Sequence, residues 1–216
     1  MLPSGIAQIV LYGVVLTALA FQYPDAAEAL AGRGGRVDNI LAAAGLGRDD
    51  LVRHFLDAGG ELRADVPLAP VPWVRLANNR RAHLELALIW AAALGRARVV
   101  EVLSRQRVDL GAHDHQGFTA LHWAAARGHA GVVETLLRRG APLEATNVYG
   151  GTVLAATAWA SVHMGGVIQA DGFAPVDYGT VVECLIDAGA RVEAVRFPCG
   201  NPTVDDVLAR HGARGG

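Results

Sequence analysis

The pattern of apolar and polar positions is clearest between Thr119 and Gly140. TALHWAAARG reads as a short helix, with Thr119 placed to cap its first turn and Gly128 to end it in a left-handed conformation. HAGVVETLLRRG reads as a second helix, with Val132, Val133, Leu136 and Leu137 on one face and Gly140 ending it in the same way. Each helix has only about ten residues, too few to persist alone in water, so its apolar face needs a neighbour to cover it.

The neighbours are copies of the same unit. A forward shift of 33 residues carries Asp114 onto Asn147, Gly117 onto Gly150, Thr119 onto Thr152 and Leu121 onto Leu154. The same shift backward carries Leu121 onto Leu88, Trp123 onto Trp90, Gly128 onto Gly95, and Val132-Val133-Glu134 onto Val99-Val100-Glu101. Two more degraded copies come earlier: one matches at Ile40, Gly47, Leu51, Phe55 and Gly59, the other at Leu16, Leu30 and Gly34. Such a period marks an array in which each unit buries the apolar face of the next.

The unit TALHWAAARGHAGVVETLLRRGA resembles the ankyrin repeat: T-P-L-H-x-A-A, then G-H, then a Val/Leu-rich helix ending in Gly-Ala, with Ala120 in place of the usual Pro. The resemblance is closest over residues 81–160. It implies an all-α solenoid of about five helix-turn-helix repeats, at about 12–36, 37–62, 81–113, 114–146 and 147–194, in a single domain over 1–216. TVDDVLARHGA supplies the helix of a C-terminal cap over 195–216. Two insertions interrupt the array. Pro67, Pro70 and Pro72 disfavour helix in 63–80 and predict an enlarged loop on the finger side. In 161–177 the glycines and Pro175 predict a loop between the two helices of repeat five. Leu16 precedes Ile40 by about 24 residues, so the finger between repeats one and two is expected to be missing.

Composition narrows the function classes. Of the 216 residues 52% are apolar and 19% charged, enough for a buried core and unlike a disordered chain. The net charge of −2, with the arginines spread among acids, argues against nucleic acid as the partner. All 19 basic residues are Arg, as expected of a GC-rich bacterial coding sequence. Cys184 and Cys199 have no metal-ligand spacing around them and fit a reduced cytoplasmic protein. No nucleophile elbow, phosphate loop or HExxH string is present, and Asp205 and Asp206 suit the dipole at the start of the last helix. His113, Asp114 and His115 lack a third fixed ligand, while His122 and His129 fall at the family's structural histidine positions. Neither an enzyme, nor a metal site, nor a cofactor is expected.

The resemblance places partner contacts on the fingers and on the front of each first helix. By position these are His115, Gln116, Phe118 and Arg127 in repeat four, and Val148, Tyr149 and Trp159 in repeat five. Trp90 and Trp123 are one period apart and are expected side by side on the same inner face, where packing against the next repeat competes with partner contact. Phe118 and Tyr149 are expected at finger tips. The resulting expectation is a cytoplasmic, cofactor-free module that binds an unknown protein partner and does not bind nucleic acid or a membrane. Two alternatives stay open. Residues 1–24 carry no charge before Asp25 and end an apolar run at Ala18-Leu19-Ala20, as a signal or anchor would. The apolar segment Ile6 to Leu11, at an end without a polar cap, would instead support weak self-association.

Overall fold

The computed structural model describes residues 13–69, 79–164 and 176–215. Helical residues 13–20 form α1, followed by α2 (Pro24–Gly32), α3 (Ile40–Gly45), α4 (Asp49–Phe55), α5 (Arg80–Ala93) and α6 (Ala97–Leu103). Then come α7 (Ala120–Ala126), α8 (Ala130–Arg138), α9 (Val153–His163), α10 (Tyr178–Asp187), a 3-10 turn (Val192–Ala194) and α11 (Pro202–Arg210). The helices pair within each repeat. First helices α3, α5, α7 and α9 stack on one another in that order, second helices α4, α6, α8 and α10 do the same, and α11 packs on α10. The result is an all-helical solenoid, and the described residues contain only isolated β-bridges.

Side chains at repeating positions build the continuous core. Leu88, Leu121 and Leu154 are all fully buried, and truncating one such leucine to Ala costs about 2–5 kcal/mol. Small residues such as Ala91, Ala92, Ala124 and Ala125 are buried beside them and let the helices approach closely. Asn39, Asn79, Thr119 and Thr152 each accept a backbone N–H with their side chains at a first-helix start. Thr119 and His122 form a reciprocal box at the start of α7.

A second repeating device ties each repeat to the one before it. The last carbonyls of a helix have no partner within it. Here the Gly45 carbonyl at the end of α3 accepts from Arg96 Nε at 2.9 Å, and the Ala93 carbonyl at the end of α5 faces His129 Nε2 at 3.1 Å. The Ala126 carbonyl at the end of α7 accepts from the Tyr178 hydroxyl at 3.0 Å. Three different side chains, each at the start of the next second helix, meet the same need.

The helices reach into both expected insertions. α5 starts at Arg80, so it is two turns longer at its amino end than α7, and α9 continues through His163 into the span expected as loop. Residues 70–78 and 165–175, parts of those insertions, lie outside the described residues, as does the segment Ile6 to Leu11. Between α2 and α3 the described residues contain no β-bridge, whereas bridges Leu56–Leu62, His113–Thr119 and Thr146–Thr152 close three fingers elsewhere. Val15, Leu16 and Leu19 of α1 are buried in the common core. No helix among the described residues is long and apolar enough to cross a membrane.

Candidate partner-binding site

Each finger is shaped by one acidic or amide side chain at its turn. Asp57 Oδ1 accepts the backbone N–H groups of Gly59 and Glu61, and Asn147 Oδ1 accepts those of Tyr149 and Gly151. In the middle finger Asp114 Oδ1 accepts from Gln116 N–H at 2.8 Å and Phe118 N–H at 3.0 Å. Its second oxygen accepts the Trp123 indole N–H at 2.8 Å. Asp114 therefore fastens its finger to the first helix of the same repeat, with both of its carboxylate oxygens engaged. Adjacent fingers are joined in turn, because Val148 N–H donates to the Gln116 carbonyl at 3.0 Å.

Two adjoining grooves run between the fingers and the first helices. One, of about 340 Å³, is lined by Trp90, Leu94 and their α5 neighbours Leu86 and Ile89, by His115 and Gln116, and by the turn after α1. The other, of about 630 Å³, is lined by Phe118, Arg127, Tyr149, Trp159 and Met164 among others. Gln116 and Trp123 line both and form the ridge between them. The structure thus brings eight of the nine expected contact residues to one continuous surface; only Val148, 64% exposed, lines neither groove.

The expected residues differ in how much they offer a partner. Tyr149 is 76% exposed and Trp159 58% exposed, with the Trp159 ring stacked on His163 at 4.4 Å. Trp90 is almost sealed, at 9%. Trp123 is half-buried and braced by Asp114, with the Arg127 guanidinium carbon 5.8 Å from its ring centre. Phe118 is not at the finger tip as expected. It stands on the returning arm, half-buried against Trp123 at 5.1 Å and His122 at 5.4 Å. Sequence reasoning missed Asn147, Met164, Leu86 and Ile89; Leu86 stands one turn before both Ile89 and Trp90, a signal already present in the chain.

The electrostatics single out Arg127. Burial pulls its guanidinium below the usual arginine range, its Nε is covered without a hydrogen-bond partner, and no carboxylate pairs with it among the described residues. Burial likewise lowers the pKa of His122 and of His129, opposed by their bonds to the Gly151 and Ala93 carbonyls. Thr119 N–H and hydroxyl both approach His122 Nδ1, at 3.3 and 3.0 Å, so the ring proton belongs on Nε2, which faces the Gly151 carbonyl at 3.5 Å. His122 is a bridge between repeats. Elsewhere, Glu183, Asp187 and His211 lie close enough to share a cation, but Glu183 is already bonded to Arg210 and His211.

A model of ankyrin repeats, in three copies, matches residues 40–147. No curated protein matches the chain. The matched span takes in the middle finger, Trp90, Trp123 and Arg127, and stops at the turn that carries Tyr149.

Proposed function

Because the chain belongs to the ankyrin-repeat family, we propose that it is a non-catalytic protein that holds a partner on its concave face, in the two grooves between fingers and first helices. Repeats of this family generally mediate protein–protein interaction and are typically without catalytic activity. One observation carries the reading to this surface: Tyr149 and Trp159, two large aromatics mostly exposed to solvent, face the larger groove together. Aromatic and Arg side chains supply most hot spots of protein interfaces, and stacked repeats hold them in place so that little ordering entropy is lost on docking. A cytoplasmic setting belongs to the same proposal and rests on the two unpaired cysteines.

Site-directed photo-crosslinking in the source cell tests it. A benzophenone side chain at position 149 or 159 is expected to capture a discrete protein, and one at Arg138, exposed on the second-helix side, is expected to capture none. Equal capture from all three positions would remove the concave-face reading. Cell fractionation of the same samples checks the compartment.

A further inference from the structure

The two grooves are the same groove one repeat apart, and their differences name what the second one receives. Its Trp123, Ala126 and Arg127 take the places of Trp90, Ala93 and Leu94, while Tyr149 replaces Gln116 on the finger. On the far wall Ala156 replaces Trp123, which widens the groove, and Trp159 replaces Ala126. The substitution without a packing reason is the cation at 127, where Leu94 shows that an aliphatic side chain suits the backbone.

Four arginines among the described residues are partly withdrawn from solvent: Arg63, Arg80, Arg96 and Arg127. Arg63 pairs with Asp65, Arg80 donates to three backbone carbonyls and Arg96 to one. Arg127 alone among them donates to no acceptor among the described residues. Withdrawing a guanidinium from water without an acceptor is costly, and among the described residues none that lines the second groove is acidic. Asp114, at the turn of the middle finger, is bonded to the Gln116 and Phe118 N–H groups and to the Trp123 indole.

We propose that the second groove takes a segment of a partner protein that presents an Asp or Glu carboxylate beside a bulky apolar side chain. Arg127 receives the carboxylate, and Trp123, Phe118, Tyr149 and Trp159 enclose the apolar group. This rests on the concave-face reading above and adds the chemistry of the partner. The guanidinium, already held over the Trp123 ring, offers a planar set of donors matched to a carboxylate.

Selection from a random twelve-residue peptide display library on the intact, immobilised chain tests the inference. The recovered peptides are expected to carry Asp or Glu next to an aromatic or large aliphatic residue. Arg127→Leu, which copies Leu94 and is checked for unchanged helicity, is expected to weaken a synthesised, selected peptide by about tenfold to a hundredfold. Changing the peptide's acid to its amide should cost as much on the native chain and nothing further on the Leu variant. Peptides without an acid preference that ignore Arg127→Leu but are lost with Tyr149→Ser/Trp159→Ala would overturn the carboxylate inference and leave the concave-face reading standing. Peptides indifferent to both variants would remove both. Self-association in sedimentation that vanishes with Arg127→Leu would give the groove to a second copy of the chain and overturn the inference as well.

Discussion

The finger turns of repeats four and five are built from the same positions, yet one carries Asp114 and the other Asn147. Both side chains accept two backbone N–H groups through one oxygen. Only in repeat four does a Trp stand one helical face away, and only there does the second oxygen need to accept, from the indole N–H of Trp123. An amide nitrogen cannot accept that bond. In repeat five the corresponding helix position is Ala156, nothing asks for a second acceptor, and Asn suffices. The finger residue and the helix residue thus change together, and the same pair of changes opens the larger groove. Repetition fixes where a side chain stands; departures from the repeat decide what the surface does.

The severest way to break this comparison is at Asp114. Asp114→Ala removes all three bonds and is expected to destabilise the chain by about 2–3 kcal/mol, read from chemical denaturation. Asp114→Asn keeps the two turn bonds, as Asn147 does, and should cost about 1 kcal/mol, the share of the indole. Equal losses in the two variants would show that Trp123 draws nothing from the second oxygen.

The next largest effect separates the finger tips. Gly117 and Gly150 both have φ in the left-handed region, at 76° and 78°. A Cβ on Gly117 would stand 2.8 Å from Val148 N and 2.9 Å from Asn147 Cα, both backbone atoms of the next finger, while one on Gly150 would meet nothing within 4 Å. Gly117→Ala therefore adds a collision to the conformational cost and is expected to lose about 2 kcal/mol, against about 1 kcal/mol for Gly150→Ala. Matching losses would mean that the fingers do not press on each other in solution.

A gentler change makes the second groove into the first. Ala156→Trp with Trp159→Ala gives repeat five the Trp and Ala positions of repeat four. The double variant is expected to keep its helicity and to bind a partner captured through position 159 at least about tenfold more weakly, about 1.4 kcal/mol. Retained affinity with the groove filled would place the contact elsewhere.

Much of this was legible in the chain. The 33-residue shift, the Thr119 cap and the glycines after each first helix fixed the helix pairs, because these signals are local and recur. The contact candidates followed from the ankyrin resemblance carried over by position, and register brought most of them to one surface. What register could not carry was the relation between side chains. Phe118 was expected at a tip because its place within a five-residue finger depends on which residue makes the turn, and that is Asp114 with Gly117. The lengths of α5 and α9 were hidden because prolines and glycines downstream or upstream of them mark a break without saying where the helix gives way. Arg127 was a contact candidate by position, but only its neighbours showed that it donates to no acceptor among the described residues.

The smallest expected effect compares the two faces of repeat four. His122 reaches forward to the Gly151 carbonyl of repeat five and His129 back to the Ala93 carbonyl of repeat three. Burial lowers the pKa of both in the folded chain, whereas in the unfolded chain each titrates near about 6.5. Below that pH the unfolded chain takes up protons that the folded chain refuses, so stability falls as the pH falls from about 6.5 towards the lowered folded values, and is unaffected by these groups at higher pH. Thermal unfolding is expected to show a midpoint at pH 5.5 below that at pH 7.5. His122→Gln and His129→Gln each lower the midpoint at both values but narrow the gap between them, because Gln does not titrate. If the gap is unchanged in both variants, the acid sensitivity belongs to other groups, and the two histidines bridge their repeats without sensing pH.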